Sequence, residues 1–107
     1  MSLNRITVQG RLCAAPELRQ TQNGKAVANF TLAVDRDHNR EETDFIDVVA
    51  WNGTAEFVSK YFFKGSAAIV SGRLQMRRYE AKDGTNRTAY EIVADNVYFG
   101  ESKRDGA

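Results

Sequence analysis

The stretch that decides the fold is DFIDVVAWNGTAEFVSKYFFKGSAAIVSGRLQMRRY, residues 44–79, because its hydrophobic period changes twice. Residues 44–52 and 67–79 alternate between apolar and polar side chains, which is typical of β-strands with one buried face. Over residues 54–64, apolar side chains recur four positions apart, which is the spacing along one face of a helix. The stretch therefore predicts a strand, a helix and a second strand, in that order.

Strand patterns flank this stretch on both sides. Two precede it, near residues 3–12 and 25–35, and one follows it, near residues 87–99. The dipeptides Asn23-Gly24 and Asp83-Gly84 are turn signals between successive strands. This order predicts an all-β fold, a five-stranded Greek-key barrel with one helix between the third and fourth strands.

Residue types place the helix ends and the buried faces. Thr54 is a suitable N-cap, and Gly65 is a natural stop after the helix. In the fourth predicted strand, one face is apolar and is expected to face the interior; it carries Ala68, Val70, Leu74 and Met76.

A chain of 107 residues is long enough for one domain with its own core. We assign residues 1–100 to this domain and residues 101–107 to the start of a flexible C-terminal tail. No apolar run is long enough to cross a bilayer and no signal-peptide pattern opens the chain, so a cytoplasmic protein is expected. The single Cys13 and the single His38 exclude an internal disulfide and the usual zinc ligand sets.

The charges are segregated, although the net charge is only +1. Residues 73–87 carry five basic and two acidic side chains, whereas residues 35–47 carry six acidic and two basic ones. One segment is therefore a cationic stripe and the other an anionic loop, and the two nearly cancel in the total.

The anionic loop imitates the beginning of a calcium-binding loop through Asp35, Asp37 and Asn39. That pattern then requires Gly at its sixth position and Glu at its twelfth, where this chain has Arg40 and Ile46. We expect a solvated hairpin tip and no metal site. No phosphate-binding loop or catalytic triad is visible, so neither a cofactor nor enzymatic activity is expected.

Three large aromatic side chains are predicted on polar strand faces. Phe45 and Trp51 point away from the apolar face of the third strand, and Tyr79 points the same way as Arg73 and Arg77. Unpaired nucleic acid suits this mixture, because an exposed ring can stack on any base and guanidinium groups bind phosphates. The alternative is that the rings cover a second hydrophobic surface, such as a subunit interface.

Short motifs in a fixed order carry a family resemblance. They include Gly10-Arg11-Leu12, Pro16-Glu17-Leu18-Arg19, Ala26-Val27-Ala28-Asn29-Phe30-Thr31-Leu32-Ala33, Asp44-Phe45, Lys64-Gly65-Ser66, Gly72-Arg73-Leu74, Arg77-Arg78-Tyr79 and Asp83-Gly84. On these motifs, over about residues 3–99, the chain resembles the bacterial-type single-stranded DNA-binding proteins (SSB).

The resemblance implies an oligonucleotide/oligosaccharide-binding (OB) fold that binds unpaired DNA with little sequence preference. It also implies work in DNA replication, recombination and repair, at the nucleoid in the cytoplasm, by a homotetramer whose first strands pair across a dimer interface. The stacking positions of the family fall on Phe45, Trp51 and Tyr79, and a fourth position that often carries Trp falls on His38. The family's basic positions along the DNA path match Arg5, Arg11, Arg19, Arg73, Arg77, Arg78 and Arg87.

Family members usually continue into a flexible tail that recruits replication and repair proteins through an acidic, hydrophobic tip. This sequence ends at Ala107 without that tip, so partner recruitment is not assigned to its residues. Two other functions remain open on the same barrel. One is an OB-fold protein-interaction or primosome-assembly subunit that buries Phe45 and Trp51 against a partner. The other is a nuclease, which would need carboxylates and a metal beside the groove.

Overall fold

A computed structural model describes residues 3–100, apart from the side chain of Arg40, and shows six strands and one helix in that range. The elements follow in the order β1 Ile6–Leu12, β2 Glu17–Gln20, β3 Ala26–Arg36, β4 Asn39–Trp51, α1 Asn52–Tyr61, β5 Ala67–Glu80 and β6 Asn86–Phe99. The predicted tail, residues 101–107, lies outside the described residues.

Five of the strands close into a barrel, which confirms the predicted OB fold. The hydrogen-bonded order is β1-β5-β6-β4-β3, and β1 returns to pair with β3. β1 is antiparallel to β5 from Ile6 to Arg11, and it meets β3 only at Arg11 and Leu12. β4 and β6 run parallel, and α1 lies between β4 and β5 in the chain.

β2 is absent from the sequence prediction, which placed a loop after the first strand. It pairs antiparallel with β3 and adds a sixth strand beside the barrel. All four of its residues are exposed. The alternation that marks a half-buried strand is therefore missing, and the prediction of a loop was wrong here.

The β3–β4 hairpin is longer than predicted, because β4 begins at Asn39 rather than near residue 44. Polar side chains pair across it: the Thr43 hydroxyl donates to Asp35 at 3.2 Å, and the Arg36 guanidinium donates to Asp44 at 3.0 Å. Much of the predicted polar loop is thus a solvated two-stranded ribbon with residues 37–38 at its turn.

The helix begins and ends earlier than the predicted span of 54–64. Trp51 occupies the N-cap position without a side-chain cap hydrogen bond, so the prediction of Thr54 as N-cap was wrong. Phe62 leaves the helical conformation (φ −115°, ψ 141°), and its ring stacks on Phe99 with centroids 4.9 Å apart. Gly65, at φ 88°, forms the turn that follows. Within residues 3–100 no helix is long and apolar enough to span a bilayer.

The core fills the barrel from every side. The buried side chains are Leu12, Ala28, Phe30, Leu32, Val48, Ala50, Ala55, Val58, Phe62, Ala68, Val70, Ile92, Ala94 and Val97. Burying one large apolar side chain such as Phe62 contributes about 1.5–3 kcal/mol. Through Ala55, Val58 and Phe62, the helix and the residue that follows it pack into this core.

The outer half of the β5–β6 hairpin extends beyond this core. From Arg73 to Glu80 every residue of β5 is exposed, whereas Ala68 and Val70 are buried. Leu74 and Met76 were predicted to face the interior, and that prediction was wrong, because the strand outruns the barrel. Alternation places side chains on a face, but it does not say where the other layer ends.

We predict that Gly72→Ala destabilises the domain by about 1–3 kcal/mol, as overpacking does. Gly72 lies where the β5–β6 register shifts, and a Cβ there would overlap the carbonyl oxygen of Val93, a backbone atom that has no room to yield. Gly53→Ala is the matched control, since a Cβ at Gly53 meets nothing within 4 Å. It should change stability by less than about 1 kcal/mol. Urea denaturation measures both, and equal midpoints would contradict the prediction.

Candidate nucleic-acid interface

One continuous outer face is built by four strands in register. β4 contributes Phe45, Asp47, Val49 and Trp51, which stand opposite Ala33, Thr31, Asn29 and Val27 of β3. On the other side, Val49 is level with Val93 of β6, and Val93 pairs with Arg73 of β5. The period of two carries this face outward along the β5–β6 hairpin to Tyr79 and its partner Arg87.

All three predicted stacking rings are exposed on this face. The exposed fraction is 69% for Phe45, 40% for Trp51 and 41% for Tyr79. Phe45 and Trp51 lie on the same strand, six residues and therefore ~20 Å apart. The rings are thus spread over the face rather than clustered, which leaves room for several bases between them.

A groove of about 750 Å³ runs beside Trp51. Its apolar floor is a small cluster of buried side chains, Val27, Val49 and Val93, one from each of three strands. Its polar lining includes three of the predicted arginines, Arg19, Arg73 and Arg77. An apolar floor beneath an aromatic rim and guanidinium groups suits a flat base with its phosphate at the edge.

The arginines of the groove differ in how they are held. Arg19 donates to the Asn29 side-chain oxygen at 3.1 Å, and the Arg77 Nε donates to Glu91 at 3.2 Å. The Arg77 guanidinium also lies 5.4 Å from the centre of the Tyr79 ring, within the range of a cation–π contact. Arg73 makes no hydrogen bond or ion pair within residues 3–100, so its charge faces the groove uncompensated.

A second cavity, of about 270 Å³, adjoins the groove. Cys13, Asp47, Tyr90 and Glu91 are among the residues that line it. Within residues 3–100 no three His, Cys, Asp or Glu side chains are arranged to hold a metal ion. Glu91 also lines the cationic groove, and Cys13 is a free cysteine.

The other predicted site residues do not line the groove. His38 is exposed at the turn of the β3–β4 hairpin, and Arg5 is exposed just before β1. Arg11 donates to the carbonyl oxygen of Gly65 at 2.9 Å. Arg78 alternates with Arg77 and therefore lies on the opposite face of β5.

Two exposed carboxyl groups that lie beside arginines of the hairpins have lowered pKa values. The pKa of Asp83 lies below its usual value because the hydroxyl and backbone N–H of Thr85 donate to it, with a smaller contribution from Arg87. The pKa of Asp44 is lowered by its hydrogen bond to Arg36. Both acids are therefore ionised at neutral pH, and each lies beside an arginine: Asp83 is 3.4 Å from Arg87, and Asp44 is 3.0 Å from Arg36.

The sequence prediction missed several polar residues of the groove. Asn29, Gln75 and Glu91 all line it, but they are polar residues in ordinary strand positions, and no sequence signal assigned them a binding role. Their place depends on which residues stand side by side across β3, β4, β5 and β6. The alternation of the last predicted strand was also too irregular to assign Glu91 to a face.

The fold and this face define a class of protein: a small OB barrel with an open aromatic and cationic wall. In agreement, the chain belongs to the single-strand binding protein family, whose model matches residues 3–100. The family predicted from the sequence is thereby confirmed. Binding rather than catalysis is the activity that this membership assigns, and the chain is not an enzyme.

Individual members of the family are also similar to this chain over most of its length. A protein of Fusobacterium nucleatum named single-stranded DNA-binding protein is 45% identical over 107 residues, 94% of this chain and 69% of the relative. Single-stranded DNA-binding protein 3 of Listeria innocua is 49% identical over 109 residues, 98% of this chain and 68% of the relative. Single-stranded DNA-binding protein 3 of Clostridium acetobutylicum is 50% identical over 103 residues, covering 92% and 72% respectively.

Proposed function

We propose that this protein binds single-stranded DNA on the outer face of its barrel, with little sequence preference, during DNA replication, recombination and repair. The observation that carries the proposal is the groove beside Trp51, which combines an exposed ring, an apolar floor and three arginines. The names and the close similarity of the relatives support it. On this proposal the protein acts at the nucleoid, in the cytoplasm.

The energetics of such a site come from two sources. Stacking of a base on an aromatic side chain contributes about 1–3 kcal/mol and tolerates any base, because each has a π-face. Phosphates bound by arginines release counterions, which adds a favourable term that weakens as salt is added. We assign the first role to Phe45, Trp51 and Tyr79, and the second to Arg19, Arg73 and Arg77.

The remaining predicted residues differ in how close they lie to the groove, and we assign their roles accordingly. Arg87 stands opposite Tyr79 on the same face, so it can reach a phosphate beside a base stacked there. His38, Arg5 and Arg11 lie away from the groove and could contact DNA only where the strand continues past it. Arg78 faces the other side of the hairpin, and we leave it out of this track.

We also propose that the working form is a homotetramer. Among residues 3–100, the β1 edge that faces away from β5 has strand partners only at Arg11 and Leu12, so Ile6 to Gln9 offer an open edge for pairing with a second copy. Leu74 and Met76 form a small exposed apolar patch on the hairpin face opposite the groove. A patch of this kind is typical of a protein–protein contact.

We predict that Trp51→Ala and Phe45→Ala each weaken binding of an oligo-dT strand by about 1–3 kcal/mol, because each removes one stacking platform. Fluorescence anisotropy of a labelled oligomer measures the affinity, and Phe63→Ala, which truncates an exposed ring just after α1 and outside the strands of the outer face, is the matched control. The wild-type Trp51 emission should be quenched on titration. Unaltered affinity in the Phe45→Ala/Trp51→Ala double variant would refute the site and favour a protein-interaction subunit.

We predict that Arg73→Ala lowers the salt dependence of binding. Each phosphate that is neutralised on a single strand adds about 0.7 to the slope of log affinity against log salt concentration, so losing one contact should subtract about that amount. Lys60→Ala, which removes an exposed charge on α1 away from the groove, should leave the slope as it is. Identical slopes for wild type and Arg73→Ala would exclude Arg73 from the phosphate track.

We predict that Met76→Asp shifts the protein to smaller species in sedimentation velocity, at concentrations where the wild type sediments as a tetramer. A buried carboxylate without a partner opposes association strongly. Gln75→Asp is the control, because it places the same charge one residue away on the groove face. A wild-type monomer, or a tetramer that tolerates Met76→Asp, would contradict this assembly.

A further inference from the structure

We infer that Glu91 is a positioning residue for DNA binding: its carboxylate holds Arg77 so that the rest of the guanidinium group points at the strand. This inference rests on the proposed function, since it concerns how one arginine of that site is aimed. It runs against simple charge counting, by which an acid inside a DNA-binding groove only repels phosphates.

The ion pair joins a largely buried carboxylate to an exposed guanidinium group. The Glu91 side chain is 14% exposed, whereas the Arg77 side chain is 58% exposed, and their ion pair measures 3.2 Å from Oε1 to Nε. Arg77 pairs with Ala89 in the β5–β6 ladder, and Glu91 pairs with Gln75. Arg77 and Glu91 are therefore diagonal neighbours on one face, a relation in which long side chains reach each other.

The atom that is bound matters as much as the distance. The Glu91 carboxylate accepts a hydrogen bond from the Nε of Arg77. The two terminal nitrogens of Arg77 make no hydrogen bond within residues 3–100. Those nitrogens carry the planar fork that matches a phosphate. The same guanidinium lies 5.4 Å from the centre of the Tyr79 ring, so the carboxylate, the arginine and the stacking ring form one connected row.

Arg77 also stands at a junction of the surface. It lines both the 750 Å³ groove and the 270 Å³ cavity, and the residues that share this double position are Asn29 and Glu91. A strand that runs from one depression to the other would therefore pass close to the Arg77 side chain. A mobile arginine side chain at this point would lose conformational entropy when it binds a phosphate. A side chain that is already held by an ion pair loses less.

Asp47 provides a matched comparison on the same face. It is the direct neighbour of Glu91 in the parallel β4–β6 register and also lines the smaller cavity. Its carboxylate accepts a hydrogen bond from the Thr31 hydroxyl at 3.0 Å, and within residues 3–100 it forms no ion pair with an arginine. The two acids therefore share charge and location but differ in whether they hold Arg77.

The experiment compares Glu91→Ala with Asp47→Asn in binding of a labelled oligo-dT strand over a range of salt concentrations. If Glu91 positions Arg77, Glu91→Ala binds about two- to fivefold more weakly, the worth of a cross-strand pair, although a negative charge has been removed. Its salt slope falls by up to about 0.7, because one phosphate contact is lost. Asp47→Asn binds as tightly as the wild type or about twofold tighter, as the removal of a repelling charge requires.

Two further variants protect the test against a loss of folding. Glu91→Gln keeps an oxygen acceptor for the Nε hydrogen and should recover most of the affinity lost in Glu91→Ala. Arg77→Lys keeps the charge but loses both the Nε anchor and the fork, so it should bind more weakly than the wild type while its salt slope changes little. Circular dichroism and urea midpoints identify any variant that is unfolded, and the folded ones decide the question.

The outcomes separate this inference from the proposed function. If the wild type fails to bind oligo-dT, the proposed function itself is wrong. If the wild type binds but Glu91→Ala binds more tightly with a steeper salt slope, then Glu91 is only a repelling charge and the inference is overturned. Wild-type affinity in folded Arg77→Lys would overturn it equally.

Discussion

Closure of the barrel at β1 is the constraint on which the rest of the structure depends. β1 must approach β5 along most of its length and β3 at its end, and a Cβ at Gly10 would lie 2.5 Å from the carbonyl oxygen of Ala33. The absence of a side chain there lets the backbones meet. Once the sheet is closed, every strand of the barrel has one inner face, which the core fills, and one outer face, which is free to carry function.

The small valine cluster on the outer wall links this closure to the groove. Val27, Val49 and Val93 come from three different strands, and they are buried only because the register brings them level. A slip of one residue in any of these strands would turn its valine inward and send the neighbouring core residue outward. The same register sets the spacing between Trp51 and Arg73, so the packing of the wall and the geometry of the site have a single cause.

Much of the fold could be read from periodicity, and the limits of that reading are physical. The rings of Phe45, Trp51 and Tyr79 are exposed as predicted, because a period of two assigns a side chain to a face without any tertiary information. β2 was not predicted, because a strand that is exposed on both faces has no hydrophobic period. Leu74 and Met76 were misplaced, and Glu91 was missed, because strand overhang and cross-strand neighbours depend on pairing partners that lie far away in the chain.

The position of Trp51 at the junction of β4 and α1 has a consequence for preorganisation. Its backbone is fixed on one side by the ladder with β3 and on the other by the first turn of the helix, and its indole rests beside a buried valine floor. A platform held in this way has little orientational freedom left to surrender when a flat ligand settles on it. More of the free energy of the contact then appears as affinity, because less of it is offset by the cost of ordering the protein.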